Sequence, residues 1–285
     1  MNVPTSNNLN INASRVPGSG NSTEPEFIQF GRTAQTLEPW NAPSYYEGLQ
    51  VRLNRRFTNG FTLFNSYAYG KAIDFNPSTQ GANNFNVINF AANKGLSDWD
   101  RRNIYTMSAV YELPFGQGKH YLTSGPGKWI LGGWQLNGLW SWESGLPLDI
   151  STSPASLNAP GNINRPNVNG SVQIFGGIGP GTLYFDKSKF SAPAPNTFGN
   201  LGRNVLHGPG LFDIDASIFR RFPIRERLNL EFRAEAFNLT NTPQYNRPDQ
   251  VFTDSAFGSV ISANGTQSVL VNNSRQLQFS MRLQF

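Results

Sequence analysis

The chain has 285 residues, of which 38% are hydrophobic and 13% aromatic but only 14% charged, with a formal net charge of +5 and a mean hydropathy of -0.41. It has no cysteine, which excludes disulfide frameworks, thiol catalysis and Cys-type zinc sites. No run of about 18 apolar residues offers a transmembrane helix, and the positive charge is not gathered into a basic block, so no nucleic-acid partner is expected.

The first residues, MNVPTSNNLNINASRVPGSG, lack the charged-then-apolar order of a secretory signal. An exported protein of this sequence is therefore expected to carry its signal upstream, in a longer chain. Residues 1–44 are rich in Asn, Ser, Pro and Gly and read as an extracellular loop region, with one short strand expected near Phe27 to Phe30.

Beyond that point the pattern has period two, the mark of a strand with one apolar and one wet face. YYEGLQVRLNRRF sets Leu49, Val51, Leu53 and Phe57 against Gln50, Arg52, Asn54 and Arg56. Thr58, Asn59 and Gly60 form a hairpin signal. The returning segment places Phe61, Leu63, Tyr67 and Tyr69 on one side. After an Asn-rich connection from about Asp74 to Arg101, NIYTMSAVYEL aligns Tyr105, Met107, Ala109, Tyr111 and Leu113.

A Gly- and Pro-containing turn leads to GWQLNGLWSWESG, with Trp134, Leu136, Trp140 and Trp142 against Gln135, Asn137, Ser141 and Glu143. The stretch from Pro147 to Gly210 keeps no period and reads as a long polar loop. LFDIDASIFRRF and RLNLEFRAEAFNL then form a hairpin about Pro223 to Glu226. Phe212, Ile214, Ala216 and Ile218 face the same way as Leu228, Leu230, Phe232, Ala234 and Ala236. A last loop, Thr240 to Ser274, precedes the terminal strand RQLQFSMRLQF.

Such strands fit a soluble sandwich or a membrane-spanning barrel. The terminal one fills the roughly 9 to 11 residues that cross a bilayer at a tilt. Connections alternate short and long, as in outer-membrane barrels with short periplasmic turns and longer extracellular loops. The expected fold is thus all-β: a transmembrane antiparallel β-barrel segment of about seven or eight strands, with its C-terminus on the periplasmic side. Seven strands are an odd number, so closure by this segment alone is not expected. Arg55 and Arg220 fall on apolar faces near the short turns, where they are expected to snorkel to headgroups.

The segments SYYEGLQVRLNRRFTNGFTLFNSYAYGKAID, SDWDRRNIYTMSAVYELPFG, GGWQLNGLWSWESGLPLDI, FGNLGRNVLHGPGLFDIDASIFRRFPI and RLNLEFRAEAFNLTNTPQYN, in that order, resemble the C-terminal barrel of TonB-dependent outer-membrane receptors, Oar-like branch. The resemblance covers about Tyr45 to Phe285. It implies a bacterial outer-membrane location and a barrel of about 22 strands. It also implies ligand uptake driven by the TonB complex, and a plug domain that this sequence does not contain. Residues 45–285 would be the C-terminal part of that barrel.

The resemblance further implies that the end of the chain, Phe279, Met281, Leu283 and Phe285, is read by the barrel-assembly machinery; Phe285 otherwise belongs to an interfacial girdle. The aromatics Trp134, Trp140, Trp142, Tyr67, Tyr69, Tyr105 and Tyr111 are expected against lipid or in girdles, with carbohydrate stacking the alternative. Asp213, Asp215, Glu231, Arg233, Glu235 and Arg282 are expected to face the lumen. Within that set Asp215 is expected opposite Arg233, and Arg282 opposite Glu231.

SDWDRRN, with Asp98, Asp100, Arg101 and Arg102, lacks EF-hand spacing and is expected to form local salt bridges. INRPNVNG within Asn158 to Gly170 reads as a solvated loop. His120 and His207 lack metal-ligand partners, and Ser124 near His120 completes no triad, so neither catalysis nor a cofactor is expected. The rival functions are a non-transporting structural or adhesive outer-membrane barrel and, further off, a secreted all-β binding module.

Overall fold

The computed structural model describes residues 9–10, 12, 14, 16–33, 36–37, 43–56, 60–75, 90–153, 164–225, 228–263 and 273–285. Seven long antiparallel strands dominate it: β1 Ser44–Arg56, β2 Phe61–Asp74, β3 Asn103–Glu112, β4 Trp134–Glu143, β5 Leu211–Arg225, β6 Leu228–Phe237 and β7 Gln276–Gln284. Each pairs with its sequence neighbour, in the order β1 to β7 across one sheet, and a two-residue strand, Gly95–Leu96, adds to the end of β2. Among the described residues β1 and β7 do not pair with each other, so the sheet has two open edges.

The register shows why alternation in the sequence produces continuous surfaces. Directly opposed residues share a face, so Val51, Tyr67, Tyr105, Trp142 and Phe212 stand in one row across five strands. A second row runs through Leu63, Ala109, Gly138, Ala216, Ala236 and Leu277. A third holds Phe61, Tyr111, Leu136, Ile218, Ala234 and Phe279. Aromatics thus concentrate toward the two ends of this face, with Ala and Gly between them.

The aromatic rings pack edge to face, Tyr105 against Trp140 at 6.0 Å and Trp140 against Phe212 at 5.9 Å. Such pairs each contribute about 0.2 to 1 kcal/mol to a sheet. Asn65 interrupts the apolar face, and its amide is satisfied by the Tyr105 hydroxyl at 2.8 Å. Tyr67 likewise donates to Asn103 at 2.8 Å.

The connections run over 57–60, 75–102, 113–133, 144–210, 226–227 and 238–275. Two of the three expected short turns are short; Phe57, Thr58 and Asn59 of the first lie outside the described residues. The strand expected near Phe27 to Phe30 is helix α1, Pro25–Phe30. Pro25 is pre-set for a first helical turn, and Gly31 closes the helix in the left-handed region at φ 68°. Two apolar residues three apart, Phe27 and Phe30, fit helical spacing as well as a short strand.

The third expected short turn, 113–133, is not a tight turn and contains helix α2, Gly125–Leu131. Ser124 before Pro126 and the glycines after Leu131 are helix-boundary signals that a reading for strands passes over.

Two of the three long connections at one end of the sheet, 144–210 and 238–275, do not behave as solvated loops. They fold together into a cap with its own core of Leu148, Ile150, Phe185, Phe190, Phe257 and Val260, all buried. Phe257 is the centre, with ring centroids 5.2 Å from Phe185, 5.3 Å from Phe190 and 5.5 Å from Phe252. Short pairings stitch the cap, Leu206 opposite Leu148 and Phe190 opposite Val168. Its backbone crosses itself closely, and a Cβ on Gly145 would lie 1.8 Å from the Gly208 carbonyl oxygen. Only glycine fits there.

Candidate functional site

The opposite face of the sheet is polar and carries most of the chemistry. Arg221, Glu231 and Arg282 oppose one another across β5, β6 and β7. Arg221 Nε lies 2.9 Å from Glu231 Oε2, and Arg233 reaches Glu231 Oε1 at 3.2 Å and Glu235 Oε1 at 3.6 Å. One carboxylate therefore joins two guanidinium groups, an ordered ladder of alternating charge on one surface. Asn137 donates to Ser217 at 3.0 Å in the row of Glu235.

Sequence reasoning places Arg282 opposite Glu231, where it stands, but sets the β5–β6 register four positions away from the observed one. Arg233 lies opposite Phe219, over whose ring its guanidinium sits at 5.4 Å, and Asp215 lies opposite Leu139. The cause is Pro223. It reads as turn chemistry, yet it stays in the strand opposite Asn229, and the register shift between Pro223 and Arg225 accommodates a residue that lacks an N–H. The strand therefore runs on to Arg225 and the next begins at Leu228.

The Asp215 carboxylate turns instead to the backbone, accepting the Asn238 N–H at 2.9 Å and fixing the exit of β6. Asp213 opposes Ser141 and is buried near the cap. Of the candidate polar residues, Glu231, Arg233, Glu235 and Arg282 come together, whereas Asp213 and Asp215 stand apart toward the long-connection end.

A second polar cluster joins cap to sheet. Arg203 from the cap is buried between the side chains of Asp74, at the end of β2, and Asp98, with Asp98 at 3.9 Å. Asn204 donates to Asp98 Oδ1 at 2.6 Å and to the Leu96 carbonyl at 2.7 Å. Asp100 accepts from the Ala72 N–H at 2.6 Å, and Arg101 pairs with Glu143 at 3.0 Å. The salt bridges of SDWDRRN are thus mostly long-range. They tie the segment to the cap, through Asp98 and Arg203, and to β4, through Arg101 and Glu143, rather than ordering one loop end.

Asp74, Asp98, Asp100 and Glu143 are balanced by Arg101, Arg102, Arg203 and Arg247, which disfavours a metal cation, and among the described residues no group of three His, Cys, Asp or Glu could hold one. His207 lies at the edge of this cluster, its Nε2 3.9 Å from Asp100 Oδ2. Burial holds the imidazole below its ordinary pKa, the Asp100 carboxylate opposing and Arg102 reinforcing that shift. Burial also lowers the Arg247 guanidinium, against the attraction of Asp98.

INRPNVNG is less of a loop than it reads. Arg165 pairs with Asp149 at 2.6 Å, and Asn167 and Val168 form a two-residue strand. The preceding residues, 158–163, lie outside those described. His120 packs on Tyr121, with ring centroids 6.4 Å apart. The cap core left a trace in the sequence, apolar clusters such as LPLDI, TLYF and AFGSV inside polar stretches, but clusters without a period do not reveal what they pack against.

A family model described as an outer membrane beta barrel domain matches residues 2–278. The chain belongs to that family. Its place is accordingly the bacterial outer membrane, and its seven-stranded antiparallel sheet is part of a barrel wall. No curated protein matches it significantly. Among solved structures, a chain of the FpvAI-pyocin S2 complex is similar over 99% of this barrel domain at 9% identity, with a TM-score of 0.42. This barrel domain spans 24% of that chain.

Proposed function

We propose that this barrel domain is the C-terminal part of a TonB-dependent receptor of the Oar-like branch, which takes up a ligand across the outer membrane. The observation that carries the reading is the open sheet with two chemically opposite faces. In hydrocarbon an unpaired strand edge costs several kcal/mol per unsatisfied backbone group, so the edges of β1 and β7 call for further strands of a larger barrel. The apolar face, with Trp134, Trp140, Trp142, Tyr67, Tyr69, Tyr105 and Tyr111, meets lipid and its interfaces. The polar face, with the Glu231 ladder and Arg282, meets the lumen and a plug domain. The cap is extracellular, the short connections periplasmic, and Phe279 to Phe285 are read by the barrel-assembly machinery.

The test is the native gene product in the outer membrane. An antibody to the cap is expected to detect a species much larger than 31.6 kDa, with plug peptides and a TonB box found by mass spectrometry. A species of 31.6 kDa would leave uptake without a motor. The account would then become that of a structural or adhesive barrel.

A further inference from the structure

The connection over 113–133 carries α2, and the C-terminal end of this helix is tied to two residues of the apolar face. Trp134 Nε1 and Arg220 Nη1 each donate to the Ile130 carbonyl at 2.9 Å. Trp134 and Arg220 stand opposite each other on β4 and β5, in the apolar row that continues to Phe232 and Met281. Carbonyls at a helix C-terminus lack intrahelical donors, and here one is supplied with two by side chains of the wall. The helix end is therefore tied to the outer rim.

Arg220 is only 7% exposed. Its guanidinium lies over the Phe222 ring at 4.3 Å and 5.7 Å from the centre of Trp134, and Trp134 packs edge to face on Phe222 and Phe232 at 6.4 and 6.2 Å. The expectation that Arg220 snorkels to headgroups is thus corrected. The charge is buried beneath the helix end, where Nη1 donates to the Ile130 carbonyl and two rings lie against the guanidinium, while Nε has no hydrogen-bond partner among the described residues.

On its other side α2 presents Trp129, 69% exposed, and Ile130, 66% exposed, with Leu131 beside them. An indole, an aliphatic side chain and Lys128 on one turn have the composition of a segment lying in a bilayer interface, apolar groups toward the acyl chains and cation toward phosphate. The hydrogen bond from Trp134 to the Ile130 carbonyl holds these side chains beside the end of the apolar face at which β3 and β4 are connected.

We propose that α2 is an interfacial anchor whose docking partner is the phospholipid of the periplasmic leaflet, with Trp129 and Ile130 inserted among the lipids. The proposal rests on the reading that the apolar face meets lipid. Arg220 acts as a positioning residue that aims the helix at the bilayer and is not itself in contact with headgroups.

Because the chain has no cysteine, Trp129→Cys and Ile130→Cys each provide one site for a nitroxide label. Leu277→Cys on the apolar face and Ser255→Cys in the cap serve as lipid and water references. In full-chain protein reconstituted in phosphatidylethanolamine and phosphatidylglycerol vesicles, labels at 129 and 130 are expected to relax with oxygen in preference to a water-soluble nickel complex, with a ratio close to that at 277. A ratio like that at 255 would overturn the anchor while leaving the wall intact, and shielding from both reagents would overturn it in favour of a protein contact. If 277 itself behaves like 255, the lipid reading falls and the anchor with it.

Discussion

Arg203 illustrates how much depends on single side chains in the seam between cap and wall. It is buried against Asp74 and Asp98, so Arg203→Ala leaves buried carboxylates without their counter-ion. Removing one partner of a buried pair costs about 3 to 5 kcal/mol. We predict that this variant keeps a folded sheet but loses hydrogen-exchange protection across 164–210. The charge ladder on the polar face predicts the smaller effect: Glu231→Gln weakens its pairing with Arg221 across the strands and with Arg233 along β6, and both guanidinium groups are exposed, so the denaturant midpoint is expected to fall by less than in Arg203→Ala.

His207 gives the seam a pH dependence whose sign follows from its environment. Its pKa is lowered in the folded protein by burial, so the unfolded chain binds the proton more readily. The stability it contributes is present above its ordinary value of about 6.5 and is lost as pH falls below that value and through the lower folded one. Protection of the cap is expected to weaken as pH falls below about 6.5, and His207→Gln is expected to flatten that dependence.

At the scale of elements, the strands were legible and the cap was not, for one physical reason. A strand in a barrel wall meets lipid on one side and water on the other, so its sequence must alternate; β7 is the clearest instance, with Leu277, Phe279, Met281 and Leu283 between polar residues. The cap packs irregular segments around Phe257, and no period records which of them meet. The β5–β6 register shows an intermediate case, where one proline held in a bulge displaced the expected pairing of Asp215 with Arg233. Glu231 and Arg282 were legible because the β6–β7 pairing is free of such irregularity.

Phe285 belongs to this scale as well. It is 99% exposed, so the ring contributes no packing within the sheet. Phe285→Ser is therefore predicted to slow the appearance of the heat-resistant folded form in cells while leaving the denaturant stability of the assembled protein unchanged. A fall in stability with an unchanged assembly rate would make the ring a girdle residue.

Among the described residues the molecule is a wall with one apolar and one polar surface, an open edge on each side, and a folded cap over one end. From Trp134 to Trp142 on β4, eight steps at about 3.3 Å span roughly 26 Å along the strand. At a tilt of about 40° that is some 20 Å of membrane normal, comparable with the apolar band of about 25 Å in outer-membrane barrels. In the proposed orientation the aromatic ends of the apolar face reach both interfaces.

That sorting of faces is the central claim, and single-cysteine scanning of β7 in native outer membranes tests it most directly. With a water-soluble thiol reagent, cysteines at Gln278 and Ser280 are predicted to react and those at Leu277, Phe279 and Met281 to resist. Equal reactivity on both faces would contradict the account, because the strand would then stand in water on both sides.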